Sequence, residues 1–170
     1  MSQISKQDKK RYQGSGMRMP LFQFFFRAYQ EAHNPVSRIL FKGLYIIFRY
    51  PNHIEISSNA RIGAGLYIGH PYGIAINKNA ILGENINIHK GVVIGQTNRG
   101  ERKGTPIIGN DVWIGINSVI VGKVTIGDDV LIAPNSYVNC DVPSHSVVLG
   151  NPCIIKHKEH ATEGYIDYPI

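Results

Sequence analysis

An aliphatic residue returns every six positions through the middle of this chain. The series runs Ile56, Ile62, Ile68, then Ile76, Leu82, Ile88, Ile94, then Ile108, Ile114, Ile120, Ile126, Ile132 and Val138, and only two insertions break the count. Glycine often follows, at Gly63, Gly69, Gly83, Gly95, Gly109, Gly115 and Gly127. A second set of small or β-branched residues sits four places on, at Ala60, Ala80, Val92, Val112, Ser118, Val124, Val130 and Ser136. A strand alternates with a period of about 2 and an amphipathic helix with ~3.6, so neither explains a fixed six. A triangular coil does. Three hexads make one turn, each giving a short flat strand with its aliphatic side chain inward, while Gly, Asn and Asp at the corners tolerate positive φ. The thirteen positions predict about four turns of a parallel β solenoid, on the order of 20 Å tall at ~4.8 Å per layer.

The flanks differ. Residues 1–19 are polar and basic, with Lys6, Lys9, Lys10, Arg11 and Arg18, and read as a mobile tail. Residues 20–52 change to aromatic and aliphatic clusters broken at Asn34-Pro35. Two helices are expected, the second capped by Asn34 with Pro35 at its start and ended by Pro51. A solenoid leaves core and backbone groups uncovered at its ends, so this segment is expected to cap one of them. The alternative stays open that Phe24 to Phe26 and Tyr45 to Phe48, beside Arg27, Arg38, Lys42 and Arg49, rest weakly on a membrane surface. Residues 53–157 make the solenoid domain. Past Val138 the segment CDVPSHSVVLGNPCIIKH leaves the repeat, with Pro143 and Pro152 expected to stop strand pairing, and 158–170 reads as an irregular C-terminal tail.

Composition removes several classes of function. The net charge of +6 is concentrated in the first residues and in one loop (Arg99, Arg102, Lys103), without the aromatic interleaving of a single-strand binder, so no nucleic-acid partner is expected. No apolar run reaches the roughly 18 residues of a spanning helix, and MSQISKQDKKRYQ lacks the apolar core of a secretory signal, which points to the cytoplasm. Cys140 and Cys153 are not in a CxxC pair and read as ordinary thiols. No two histidines have the close spacing of a zinc site, so no metal is expected.

Residues 54–157 resemble the hexapeptide-repeat acyltransferases, and within them the serine acetyltransferase branch. The likeness rests on IEISSNARIGAGLYIGHPYGIAIN, on NIHKGVVIGQTNRGERKGTPIIGNDVWIGINSVIVGKVTIGDDVLIAPNSYV and on VPSHSVVLGNPCIIK. It implies a left-handed parallel β-helix with a short N-terminal helical cap, a homotrimer, and transfer of an acetyl group from acetyl-CoA to a hydroxyl. An alcohol is a weak nucleophile at neutral pH, so the transfer needs a base to take its proton, and a carboxylate partner fixes that base's tautomer. The resemblance assigns these roles to His70, in GHPYG, and to Glu55, fifteen residues earlier, where the branch typically carries aspartate. Read from the residues alone, His70 is equally a turn histidine and Glu55 a solvated charge.

The second insertion, QTNRGERKGTP, corresponds to a loop that closes the acceptor pocket of a neighbouring subunit. Arg102 stands for its arginine. The histidine beside it is missing, Lys103 or Thr105 occupying its neighbourhood, and Gly69 replaces an acidic residue that holds the serine ammonium. These departures put a sugar hydroxyl of capsule or exopolysaccharide synthesis first as acceptor, with serine as the alternative. Acetyl-CoA is expected between two columns against Gly95, Gly115, Ile116, Pro134, Asn151 and Pro152, with Lys156 near its phosphates. His89 could face the same groove as a substrate contact, although packing is its plainer role. A third reading, a non-catalytic or zinc-dependent solenoid, rests on His70 and His89 being nineteen residues apart, nearly one coil.

Overall fold

Each hexad becomes one short strand, and the strands stack into three flat faces. The computed structural model describes residues 3–170. Helices α1 (Gln3–Lys10), α2 (Leu21–Glu31) and α3 (Pro35–Arg49) come first, followed by a single 3-10 turn at Tyr50–Asn52. The strands are β1 (Glu55–Ile56), β2 (Arg61–Ile62), β3 (Tyr67–Gly69), β4 (Ala75–Ile76), β5 (Ile81–Leu82), β6 (Asn87–His89), β7 (Val93–Gly95), β8 (Ile107–Ile108), β9 (Val112–Ile114), β10 (Val119–Val121), β11 (Thr125–Ile126), β12 (Val130–Ile132), β13 (Tyr137–Val138), β14 (Ser146–Leu149) and β15 (Ile154–His157). The first face is β1-β4-β7-β10-β13, the second β2-β5-β8-β11 and the third β3-β6-β9-β12-β14-β15. Pairing is parallel throughout except for β15, which returns antiparallel on β14.

The register shows how the chain is counted. Ala75 lies under Val93 and Val112 under Val130, eighteen residues or three hexads per turn. Glu55 to Ala75 spans twenty and Ile81 to Ile107 twenty-six, the two insertions. The last coil is short, with Val130 to Ser146 spanning sixteen. The aliphatic series stops at Val138, but the column does not. Val142 bridges to Ile126 and β14 extends the third face, so there are about five turns rather than four. Pro143 does not end the stacking. In the layers below, Gly109 N–H and Gly127 N–H each donate upward, to Ile126 O and Val142 O, but above Pro143 there is no further turn to receive a donor.

Both inward series are buried. Ile68, Ile88, Ile114, Ile132 and Val148 form one fully enclosed file, and the slot four residues on is filled by Ala60, Ala80, Val92, Val112, Val124 and Val130. The two serines of that slot are satisfied, Ser118 and Ser136 both donating to Ala133 O at 3.0 and 2.7 Å. The glycines that follow the aliphatic position act through close stacking. A Cβ on Gly63 would lie 2.5 Å from Gly83 O, and one on Gly83 2.6 Å from Gly109 O. Positive φ falls two residues later, on Gly65, Asn85, Asp111, Asp129 and His145.

The helices cap the first turn with polar side chains aimed at its free backbone groups. Asn34 accepts from Val36 N–H at 2.8 Å with Pro35 in the first turn of α3, as expected. Arg27 donates to Ile62 O at 2.7 Å and Gly63 O at 2.6 Å, Gln23 to Leu66 O at 2.9 Å, and Gln30 to Ala60 O at 2.8 Å. The expected mobile tail at 1–19 is part of this cap, although residues 1 and 2 lie outside the described residues. Asp8 accepts from Leu66 N–H at 3.0 Å and pairs with Arg27 at 2.8 Å, both side chains essentially sealed from solvent. Tyr12 Oη accepts from Ile68 N–H at 2.8 Å. A charge count marks Asp8 and Arg27 as solvated, but each is the buried partner of the other, while Lys6, Lys9, Lys10 and Arg18 stay exposed.

The segment 158–170 is irregular, and it is held. It runs back along the corner between the second and third faces. Ala161 and Thr162 bond Asp129, Tyr165 O accepts from Asn87, and Ile170 N–H donates to Asn85 Oδ1 at 3.0 Å. Arg11 reaches Asp167 O, so the two chain ends meet.

Candidate active site

Two different corners of the column carry the residues singled out by the sequence. The corner between the third and first faces begins with the turn Gly69-His70-Pro71-Tyr72-Gly73 and continues upward through His89-Lys90, Gly115-Ile116, Pro134 and Gly150-Asn151. The stacking is fixed by Gly69 under His89 and by bonds from Asn117 N–H to Lys90 O at 3.0 Å and Asn135 N–H to Ile116 O at 2.9 Å. His70, His89, Gly115, Ile116, Pro134, Asn151 and Pro152 therefore follow one edge over about 19 Å, at ~4.8 Å per layer.

His70 is exposed with φ of +55°, a conformation uncommon outside glycine. Its turn is pinned on both sides. Gly73 N–H donates to Asn52 O, and Tyr72 O accepts from Gly91 N–H, each at 2.9 Å. The backbone is thus rigid while the ring faces solvent. Glu55 is exposed on β1, directly under Ala75 of the strand that leaves the His70 turn. Among the described residues no hydrogen bond joins Glu55 to His70; the backbone of Glu55 is fixed beside Ile74, to whose carbonyl its N–H donates at 2.8 Å. Catalytic contacts are often long or open before substrate binds.

His89 packs. Its ring tilts against Trp113 at 4.8 Å and Tyr67 at 6.5 Å. Burial, with the neighbouring His70 adding to it, pushes its pKa down to about 4, so the ring is neutral. Nε2 is enclosed without a partner beside a cavity of about 160 Å³ lined in part by Arg11, Asn87 and Tyr165. The ring also fills the space above Gly69, where a Cβ would lie 2.6 Å from Nδ1. Gly115 is required in the same way, a Cβ there falling 2.6 Å from Pro134 N.

The corner between the first and second faces carries Gly95, the loop 96–106, Lys123, Cys140 and Asp141. The loop is a hairpin closed by Thr97 and Gly104, whose amides exchange two bonds of 3.0 Å. It lies along the column. Arg102 reaches Asp141 at 3.2 Å and Lys123 O at 3.4 Å, while its own carbonyl accepts from Lys123 N–H at 2.9 Å. The Thr125 amide, and after it Arg102, holds the Asp141 carboxyl below its usual range. Lys103 is exposed on the same loop, and Lys156 is exposed on β15 opposite Val147. The Cys140 and Cys153 sulfurs lie 3.6 Å apart, a proximity that the spacing does not suggest.

Gly95, Arg102 and Lys103 are thus on a different edge from His70, and one chain does not bring them together. The larger concavities are elsewhere, about 800 Å³ between α1 and the start of α2 and about 520 Å³ where α2 meets the first coil, and neither is lined by His70. Among the described residues no group of three His, Cys, Asp or Glu is placed to hold a metal ion.

Known proteins share this repeat and fold. The bacterial transferase hexapeptide (six repeats) family model matches residues 105–140. The serine acetyltransferase of Helicobacter pylori (strain ATCC 700392 / 26695) is 32% identical over 126 residues, which are 74% of this chain and 74% of that protein. The soybean serine acetyltransferase complexed with serine is 26% identical with a TM-score of 0.62, over 80% of this chain and 54% of its own, so this chain spans about half its length. The serine acetyltransferase of Brucella abortus strain S19 has a TM-score of 0.76 over 94% of this chain and 70% of its own, and at 24% identity it speaks for the fold alone, the left-handed parallel β-helix. With the hexapeptide repeat and a relative 32% identical over 74% of both chains, this protein belongs to the serine acetyltransferase family of hexapeptide-repeat acyltransferases.

Proposed function

We propose that the protein transfers the acetyl group of acetyl-CoA to the hydroxyl of L-serine, at a site shared between neighbouring chains of a homotrimer. The observation that carries this reading is the division of the site residues over two corners. A pocket holding both His70 and Arg102 needs the first corner of one chain against the second corner of another. Family membership makes the chain an O-acetyltransferase. In the proposed reaction His70 takes the hydroxyl proton as the oxygen attacks the thioester carbonyl, and the tetrahedral adduct collapses to ester and CoA thiolate. The imidazolium then returns the proton to the sulfur, and Glu55 stabilises that cation. Gly115, Ile116, Pro134 and the Asn151-Pro152 turn offer a backbone-lined edge for the pantetheine arm, Gly95 bounds the neighbouring face, and Lys156 meets the phosphates. Arg102 and Lys103 receive the serine carboxylate, an anion suited to paired cations.

The sugar acceptor, put first on the loss of the loop histidine and of the acid at Gly69, finds no support among the relatives, whose names favour serine. Geometry gives Gly69 a different reason, since the neutral His89 ring occupies that space. The test is release of CoA thiol from acetyl-CoA with L-serine or with a panel of sugars as acceptor. Serine-dependent release that is lost in His70→Ala is expected. Release with sugars and none with serine would overturn the acceptor.

A further inference from the structure

Helix α3 is apolar on both sides. Its inward side packs Phe41, Tyr45 and Phe48 against α2 and the first coil. The outward side carries a second stripe at helical spacing, Val36, Ile39, Leu40, Ile46, Ile47 and Tyr50, with exposures of 75% at Val36, 74% at Ile39, 63% at Ile47 and 81% at Tyr50. A helix apolar all round is ordinarily buried, so this stripe lacks a partner. No helix among the described residues is long and apolar enough to cross a membrane, so any lipid contact is lateral.

Charge identifies the partner. Residues 1–52 hold nine Lys and Arg against Asp8 and Glu31, a net +7, whereas the whole chain is +6 and the remaining 118 residues therefore carry −1. Asp8 is sealed against Arg27, which removes half of the acidity of this segment from its surface. Lys6, Lys9, Lys10 and Arg18 line the concavity of about 800 Å³ at α1, together with Met17 and Leu21. Arg38 and Lys42 are exposed beside the α3 stripe.

We propose that the helical cap docks on an anionic lipid bilayer, the outward stripe of α3 entering the headgroup boundary while the cations of α1, Arg18 and Lys42 meet lipid phosphates. Such surfaces attract basic segments by charge and hold apolar stripes by burial. A second copy of α3 fits less well. Packing two stripes together would bring Lys42, beside Gly43 at mid-helix, against cations only, because no acidic residue occurs between Glu31 and Glu55.

The experiment is flotation of the full chain with vesicles of phosphatidylcholine containing about one third phosphatidylglycerol, against vesicles of phosphatidylcholine alone. The wild type is expected to float with the anionic vesicles and to be released by high salt. The double variant Ile39→Glu, Ile47→Glu is expected to lose about tenfold or more of its bound fraction. Its thermal unfolding should be unchanged, because both side chains are solvent-exposed. Lys6→Glu with Lys42→Glu should weaken binding to the anionic vesicles alone. The proposal is overturned if the wild type ignores anionic vesicles or if the Ile39, Ile47 variant floats equally well. It is also overturned if the wild type self-associates through the stripe without binding lipid. None of these readouts depends on acetyl transfer, so the proposed function stands or falls separately.

Discussion

Four hydrogen bonds converge on the carboxylate of Asp129. They come from the amides of Ala161 and Thr162, the hydroxyl of Thr162 at 2.7 Å and the ring of His145 at 2.9 Å. Burial pushes this carboxyl up, but the bonds from Thr162, His145 and Ala161 outweigh it and bring its pKa down to about 2. His145 is raised, chiefly by the same bond. A carboxyl depressed in the folded state stabilises fully above its unfolded pKa of about 4 and loses that contribution as pH falls toward its folded value. The raised histidine contributes fully below about 6.5 and loses its contribution as pH rises through its folded value. The C-terminal segment is therefore held most firmly between those limits. Trp113, the single tryptophan, lies 5.1 Å from Tyr165 of that segment and reports on it. In a His89→Gln background, which removes the ring that titrates at about 4 against the same indole, its emission is expected to change between about pH 4 and pH 2, before the column unfolds, and to be altered already at neutral pH in Asp129→Ala. A flat emission across that range would mean that other contacts hold the segment. At the proposed base, His70→Ala should lower kcat by about 10²- to 10⁴-fold with unchanged circular dichroism, and Glu55→Gln by less, in steady-state thiol release.

At the level of elements, the cap and the loop respond differently to substitution. The cap works through buried polar side chains that satisfy the open edge of the first turn. Removing one member of the Asp8–Arg27 pair leaves the other charged and enclosed, which typically costs about 3–5 kcal/mol. Asp8→Ala should therefore shift the denaturant midpoint strongly, and it also leaves Leu66 N–H without its acceptor. The Arg102–Asp141 pair is exposed on both sides, and such pairs contribute about 0–1 kcal/mol. Arg102→Ala should leave the midpoint almost unmoved while raising KM for the acceptor in the same thiol assay. An equal loss of stability in the two variants would contradict this division.

In the proposed function the site belongs to an assembly of chains. His70 and Arg102 lie on different edges of a three-sided column, so a pocket containing both is built only where two columns meet. Mixing His70→Ala with Arg102→Ala chains, denaturing and refolding them together, should restore part of the activity missing from either parent. Some interfaces then pair an intact histidine corner with an intact loop. Sedimentation of the wild type as a trimer is expected alongside. Mixed chains no more active than the parents would place each site within one chain.

The six-residue period was sufficient for the column, because an inward side chain once per strand is a local demand that each hexad meets in the same way. The same count places Gly115, Ile116 and Pro134 on the His70 edge and Gly95 on the other, since a turn without an insertion returns eighteen residues later and the two insertions are visible as breaks in the series. His70 was singled out by the family resemblance, since the residues alone leave it a turn histidine. What depended on contacts between distant residues could not be read locally. Asp8 and Arg11 look solvated until Arg27, Leu66 and Gly65 are beside them, and the last coil, two residues short, hides the continuation past Val138. Charge and spacing describe what a segment could satisfy alone, whereas tertiary structure decides which distant groups arrive to satisfy it.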